Sequence, residues 1–431
     1  MKTESGLFLF YGGLVYNHKS RSFRDKDLVV DAGIIKEIGK IKPESFRGKK
    51  VNLQGKHLFP GFVDLHVHLR EPGREDKETI ETGANAAMAG GFTEICCMPN
   101  TNPAIDHRGV VEFINNQAKS HLVAVHPIGA VTKERAGSEL AEMGDMMEAG
   151  AVAFSDDGAS VSTAEMMRFA LEYSKMFHVP IIDHCEDLSL ATDKKMNEGV
   201  VSTSLGIPAV PAVAEDLIVA RDLMMAEFTG GHVHIAHISS GRAVELVRQA
   251  KTKGISVTAE ACPHHFTLTD DAVKSFDTNL RVNPPIRTAA DVAEIIAGLK
   301  DGTIDAIATD HAPQAIEEKD VEFGLAAPGM VGLETAVGLV TTFLIKKGYL
   351  TLPQMAARMS VTPRKIVNLP LPLFKAGEKA NFTVIDTETN WTVDKFKFKS
   401  KSRNTPFHGW QLAGKSFGVF NRGKWYRNEE N

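Results

Sequence analysis

Cysteine is scarce in this chain of 431 residues: only four occur, Cys96, Cys97, Cys185 and Cys262. Two are adjacent and no C-x-x-C pair exists, which excludes a disulfide framework and a zinc ribbon and fits a reducing compartment. Eighteen apolar residues never run together, so a membrane-spanning helix is not expected. The opening Met-Lys-Thr-Glu-Ser-Gly carries an acid and leads only into a short apolar stretch at 7–10, unlike a secretory signal. Long basic runs are missing too. Lys and Arg number 49 against 54 Asp and Glu, a net charge of −5, so a nucleic-acid partner is not expected. Internal repeats and low-complexity tracts are absent. These absences leave a soluble, cytoplasmic protein, acting on a small molecule, as the expectation.

What is present is an alternation. With 43% hydrophobic residues the composition is ordinary for a globular protein, and the length suits one large domain plus a smaller one. Short strand-like runs fall at 61–68, 92–98, 122–128, 151–155, 180–184, 232–238, 255–262 and 305–309. Between them lie helix-type segments at 75–89, 108–119, 163–177, 215–227, 241–253 and 290–299. Repeated strand-helix units imply a parallel sheet, and eight of them imply a closed (β/α)8 TIM barrel. A doubly wound open sheet is the competitor. It would carry a glycine fingerprint after the first strand, where this chain has His66-Val67-His68-Leu69-Arg70. The flanks instead hold short strands and glycine turns, and neither is large enough to fold alone. The expected organisation is a small β-sandwich built from 1–58 and 365–431 around a barrel at 59–364, an α/β fold.

Polar clusters stand where these strands end. Side chains alternate along a strand, so His66 and His68 face one way and offer two nitrogen ligands to one metal ion. Further strands end in Ser155-Asp156-Asp157-Gly158, Asp183-His184-Cys185-Glu186, His234-Ile235-Ala236-His237 and Thr309-Asp310-His311. Active sites of such barrels lie at the C-terminal ends of the strands. A lone histidine is more often surface or packing; the shared position is what marks His66, His68, His184 and His237 as ligands. His232 and His234 lie deeper and suit packing or support of a ligand, while His264 and His265 suit structure or hydrogen bonding beside the substrate. Asp310 could both bind metal and accept a proton from water, whose pKa a divalent ion lowers from about 15.7 toward ~7. Two cations about 3.5–4 Å apart need an anionic bridge. Asp156 or Asp157 could supply it, and the sequence alone does not choose. Arg70 offers a fork of donors matching a carboxylate, with Asn100 and Asn283 as directional partners, so an acidic substrate is expected. Each of these three could instead be tying down a loop.

The stretch Pro60-Gly61-Phe62-Val63-Asp64-Leu65-His66-Val67-His68-Leu69-Arg70-Glu71-Pro72-Gly73 and Ala308-Thr309-Asp310-His311-Ala312-Pro313 resemble the signatures of the dihydroorotase family, bacterial long-chain type, in the amidohydrolase superfamily. Met98-Pro99-Asn100-Thr101, Phe154-Ser155-Asp156-Asp157-Gly158, His184-Cys185-Glu186-Asp187 and Val282-Asn283-Pro284-Pro285 extend the match along the chain. The resemblance implies zinc, one or two ions, bound by His66, His68 and Asp310 at one position and by His184 and His237 at a second. Many amidohydrolases bridge the two with a carboxylated lysine. No lysine stands in the matching segment, and the likeness to the long-chain enzymes points to Asp157 as the bridge. By the same resemblance Arg70 and Asn100 hold a substrate carboxylate, Asn283 contacts the ring, and Pro328 and Gly329 lie in a closing loop. Where the family commonly has a substrate-touching histidine this chain has Gln314, which can donate a hydrogen bond but carries no charge. The implied reaction is the reversible closure of N-carbamoyl-L-aspartate to dihydroorotate in pyrimidine synthesis, with Asp310 as the proton-transfer group. The alternatives are another cyclic amidase, a hydantoinase or allantoinase, or a noncatalytic homologue partnering aspartate transcarbamoylase. A homo-oligomer is the other assembly considered.

Overall fold

The computed structural model describes residues 1–192 and 195–428. Eight parallel strands form the barrel in chain order: Phe62–Val67, Phe92–Cys97, Ala124–Pro127, Phe154–Ser155, Ile181–Asp183, Val233–Ile235, Val257–Ala261 and Ala306–Ile307. The third strand is split: Ala124–Pro127 pairs with the second, and its continuation Gly129–Ala130 pairs with the fourth. The ring closes where Val67 bridges His311 in parallel and the His68 amide donates to the His311 carbonyl at 2.9 Å. Every run assigned from the sequence thus contains a barrel strand. These strands read as continuous apolar runs because the helices cover their outer face and side chains fill the inside.

The helices follow the expected positions with shifted ends. The first begins at Ile80 rather than near residue 75. Thr79 caps it, its hydroxyl accepting the Thr82 amide at 3.1 Å, and the preceding residues are drawn away from helical geometry by other partners. Lys77 reaches Gln314 at 2.5 Å and Glu318 at 2.7 Å, and buried Glu78 accepts from Ser400 and from the Lys401 amide.

Both chain ends share one β-sandwich. A six-stranded sheet runs Lys424–Arg427, Gln411–Asn421, Phe382–Thr392, His57–Pro60, Leu14–Asn17, Ser22–Asp25, so three C-terminal strands join three N-terminal ones where Phe382–Thr392 pairs antiparallel with His57–Pro60. A second sheet of four holds Ile34–Gly39, Asp27–Asp31, Phe8–Tyr11 and Lys49–Asn52. Their faces enclose Phe8, Phe10, Leu28, Val30, Phe382, Phe420 and Trp425. Four of these strands, Leu14–Asn17, Ser22–Asp25, Lys49–Asn52 and His57–Pro60, carry too little alternation to be read beforehand. The segment between Phe382–Thr392 and Gln411–Asn421 leaves the sandwich and crosses to the barrel mouth, where Ser400, Ser402 and Asn404 are buried.

Candidate metal centre

The strand ends converge. His66 and His68, two apart on the first strand, point to the same side, and their Nε2 atoms lie 3.3 Å from Asp157 Oδ1 and 3.5 Å from Asp157 Oδ2. Asp310 Oδ1 stands 3.0 Å from His68 Nε2 and 3.7 Å from His66 Nε2. On the other side His184 Nδ1 and His237 Nε2 are 2.9 Å apart, at 3.7 and 3.5 Å from Asp157 Oδ1. All six residues are buried. Among the described residues, Asp157 is therefore the carboxylate common to both histidine pairs. Asp156, its neighbour, faces away and is consumed by the Val131 and Thr132 amides at 3.0 and 3.1 Å and the Thr132 hydroxyl at 2.5 Å. Those contacts with Val131 and Thr132, just beyond the end of the fourth strand, make that choice.

These atoms fit a metal ion. Two ligands held at about 2.1 Å across a tetrahedral angle sit about 3.4 Å apart, and the separations found run from 2.9 to 3.7 Å. His66 Nε2 and Asp157 Oδ1 are moreover buried without any hydrogen-bond partner. Orphaned polar atoms facing one another are costly unless something cationic occupies the space between them. Burial by itself raises the Asp157 and Asp310 carboxyls, but the histidines around each pull both well below the usual range, so both remain anionic.

Three residues at the strand ends take left-handed backbone conformations that non-glycine residues rarely adopt: Arg70 at φ 63°, His237 at φ 30° and Asp310 at φ 46°. Such strain, on the order of 1–3 kcal/mol each, collects where surrounding structure forces a side chain into a working position. Here it swings each of the three side chains off its strand at the barrel mouth.

Behind this cluster lies a set of buried acids that the sequence did not single out. Glu260, on the seventh strand, accepts from His66 Nδ1 at 2.8 Å, and its other oxygen lies 3.2 Å from His234 Nε2. Burial alone would push its carboxyl up; hydrogen bonds from His234 and His66 bring it down to about 2. A carboxylate on Nδ1 fixes the tautomer and leaves Nε2 free to ligate. Asp64, one turn of the pleat below His66, accepts the His66 amide at 3.1 Å and the Thr309 amide at 3.0 Å, tying the first strand to the eighth. Its burial raises the carboxyl to about 7. Glu186 Oε2 stands 3.6 Å from His184 Nε2, a charge contact rather than a hydrogen bond. Inward-facing acids within otherwise apolar strands, as in Thr258-Ala259-Glu260, were the available signal.

The expected substrate residues flank this cluster. Asn100 Oδ1 accepts from His68 Nδ1 at 2.8 Å, so it also orients the His68 ring. The Asn283 amide lies 3.0 Å from His184 Nε2. Arg70 sits half-buried with its Nε donating to the Pro313 carbonyl at 3.2 Å. Gln314 is engaged at both ends of its amide: Lys77 donates to its oxygen, and its nitrogen donates to the Pro328 carbonyl at 2.6 Å. It thus closes the neck of the 314–329 loop. Gly329, at φ 123°, passes so near Ala312 that a Cβ would lie 2.9 Å from the Ala312 carbonyl oxygen, so only glycine fits. Asn404, from the crossing C-terminal segment, clamps the same neck: its amide donates to the Ala312 and Gly329 carbonyls at 3.0 and 3.1 Å and accepts the Gln314 amide at 3.2 Å. His265 Nε2 meets the Pro284 carbonyl at 3.1 Å, and His264 is buried with its ring pushed down to about 4 by burial, in line with structural roles.

Comparison with known proteins agrees with this geometry. The family described as Dihydro-orotase-like matches residues 55–243. The dihydroorotase of Acetivibrio thermocellus is 50% identical over 407 residues, covering 94% of this chain and 95% of its own length. Those of Pelotomaculum thermopropionicum and Syntrophus aciditrophicus are 50% and 49% identical over 94% of this chain, covering 95% and 96% of their own lengths. Among solved structures, an L-hydantoinase (dihydropyrimidinase) from Arthrobacter aurescens superposes with a TM-score of 0.88 at 22% identity, covering 99% of this chain and 97% of the other. At that identity the likeness speaks for the fold alone, a barrel with its sandwich. From its sequence relatives along nearly its whole length, the chain belongs to the dihydroorotase family.

Proposed function

We propose that this chain is a zinc-dependent dihydroorotase, interconverting N-carbamoyl-L-aspartate and (S)-dihydroorotate in pyrimidine synthesis, with 1–58 and 365–431 as its sandwich and 59–364 as its catalytic barrel. The observation that carries the reading is Asp157 lying between His66 and His68 on one side and His184 and His237 on the other, in a chain half identical to dihydroorotases. His66, His68 and Asp310 would hold one ion and His184 and His237 a second, with Asp157 as the carboxylate shared between them. The metal, when bound, supplies acidified water and polarisation of a carbonyl oxygen.

The remaining work falls to side chains. Arg70 and the amide hydrogens of Asn100 bind the substrate carboxylate, fixing the ring with its amide carbonyl toward Asp310. Asn283 contacts the ring, and Gln314, Pro328 and Gly329 shape the loop that covers it. In the hydrolytic direction water adds to the amide carbon and the ring C–N bond breaks. Asp310, kept anionic by His68 and its neighbours, takes the proton from water and delivers it to the departing nitrogen. Cyclisation retraces these steps. Because the carboxylate is gripped alike in both compounds, Arg70 supports binding and orientation, while the proton transfer at Asp310 bears on the barrier.

The test is metal analysis of the isolated chain together with turnover of dihydroorotate, hydantoin and allantoin. Hydrolysis of dihydroorotate in preference to the other two, with zinc bound, is expected. Preference for hydantoin or allantoin would reassign the ring, and a metal-loaded chain inert toward all three would reject the reading.

A further inference from the structure

A second group of buried donors stands beside the seventh strand, apart from the cluster around Asp157. Cys262 directly follows Val257–Ala261, Pro263 opens a short turn of helix, and the Cys262 carbonyl accepts the His265 amide at 3.0 Å. This turn folds the next residues back over the cysteine. Cys262 Sγ and one ring nitrogen each of His264 and His265 consequently lie within 4.8 Å of one another. None of the three residues is more than 2% exposed.

Both rings have a lone pair to give. The Pro284 carbonyl, 3.1 Å from His265 Nε2, can only accept, so that nitrogen carries the proton and Nδ1 is left as an acceptor. His265 Nδ1 is buried with no hydrogen-bond partner, and so is His264 Nε2. Burial keeps both rings neutral, holding His264 at about 4 and His265 well below its ordinary value. A backbone carbonyl on the far nitrogen is the contact that fixes the tautomer and orientation of a ligating histidine. Buried polar atoms are nearly always satisfied, and two unsatisfied nitrogens beside one thiol call for a partner that accepts lone pairs. The other thiols differ. Cys185 Sγ lies 3.6 Å from Asp222 Oδ2, and Arg221 pairs with Asp183 and Asp222 at 3.2 and 2.7 Å, so that trio is already balanced. Cys96 and Cys97 pack among apolar side chains.

We propose that Cys262, His264 and His265 form a separate zinc site, sharing no residue with the centre around Asp157. Thiolate and imidazole are donors zinc favours, at about 2.3 Å from sulfur and about 2.1 Å from nitrogen, which at a tetrahedral angle sets the donors about 3.6 Å apart. Closing from at most 4.8 Å needs shifts under about 1 Å per atom. The ion takes the place of the thiol proton: a zinc–sulfur bond forms, the S–H bond breaks, and the proton leaves to water. Three protein donors leave the fourth position to water. Because the same His265 ring holds the Pro284 carbonyl, the ion also steadies the segment that carries Asn283. The site stands whatever ring the enzyme opens.

Cobalt(II) is the probe, because a thiolate bound to it gives a charge-transfer band in the near ultraviolet that imidazole and carboxylate do not. The full chain, freed of metal with a chelator and reloaded with cobalt(II), is expected to show this sulfur band. Cys262→Ser is expected to abolish the band and to remove one bound ion per chain, leaving the ions held around Asp157 in place. Cys185→Ala is expected to keep it. The unaltered chain already decides, since absence of the band at saturating cobalt overturns the proposal. So does a band that survives Cys262→Ser or one that vanishes with Cys185→Ala.

Discussion

Glu260→Gln isolates what a buried charge does for a metal ligand it does not replace. The glutamine keeps the volume, and its oxygen can still accept from His66 Nδ1, now 2.8 Å from the carboxylate. Its nitrogen would face His234 Nε2 in place of the oxygen 3.2 Å away, and that ring can accept because its Nδ1 meets the Thr258 hydroxyl at 2.8 Å. Packing and hydrogen bonding are therefore preserved and only the charge is lost. A hydrogen bond to a charged group contributes about 1.5–3 kcal/mol. At ~1.4 kcal/mol per tenfold, the expected loss of zinc affinity is about 10–100-fold, in the range found when the acid behind a ligating histidine is removed. Competition with a chelator of known affinity measures it, and a thermal melt of the metal-free protein should move by no more than a few degrees. Unchanged zinc affinity would refute the view that Glu260 sets the basicity of His66. Glu260→Leu is the contrasting case: His66 Nδ1 would be left unpaired in the barrel, at about 1–3 kcal/mol, and the metal-free protein itself should melt earlier.

Asp310→Asn should retain metal yet lose turnover, measured by zinc content beside initial rates; full turnover would remove Asp310 from proton transfer. Arg70→Ala should raise KM for dihydroorotate by about 10–100-fold, the worth of a charge-assisted contact, with a smaller change in kcat; an equal fall in kcat alone would place Arg70 in the chemistry. Asn404→Ala removes three hydrogen bonds from the neck of the 314–329 loop, about 0.5–1.5 kcal/mol each. Faster hydrogen exchange in that loop and a higher KM should follow with metal content unaltered, and unchanged exchange would contradict the clamp. Lys319 lies in the same loop, where burial first and Arg281 second push its ammonium from the usual 10.5 down to about 7. Between those values the unfolded chain holds a proton that the folded chain does not, so stability should rise with pH across that window. Lys319→Met should flatten the rise in melting temperature, and a slope that survives the substitution would assign it to another group.

Local periodicity carried much of this protein. Two histidines two apart on an apolar run must share a face, and a run followed by a helix must be covered on its outer side, so the eight units and the position of the His66–His68 pair were legible from the chain alone. The sandwich was legible only in outline, because strands such as Lys49–Asn52 and His57–Pro60 acquire their identity from partners, Phe8–Tyr11 in one case and Phe382–Thr392 far along the chain in the other.

Other features existed only after folding. Which aspartate lies between the two histidine pairs was decided by Thr132 and Val131 drawing Asp156 away. Glu260 meets His66 across 194 positions, and Asn404 reaches the loop neck from 90 positions beyond Gln314. The helix Val213–Thr229 turns its acids inward because they find partners there, Ser239 and Ser240 for Glu215 and Asp216 and Arg221 for Asp222. Periodicity states which residues share a side of an element; it does not state what that side will touch. That is decided by contacts between distant segments, whose burial sets both the charge of an acid and the geometry of the ligand it holds.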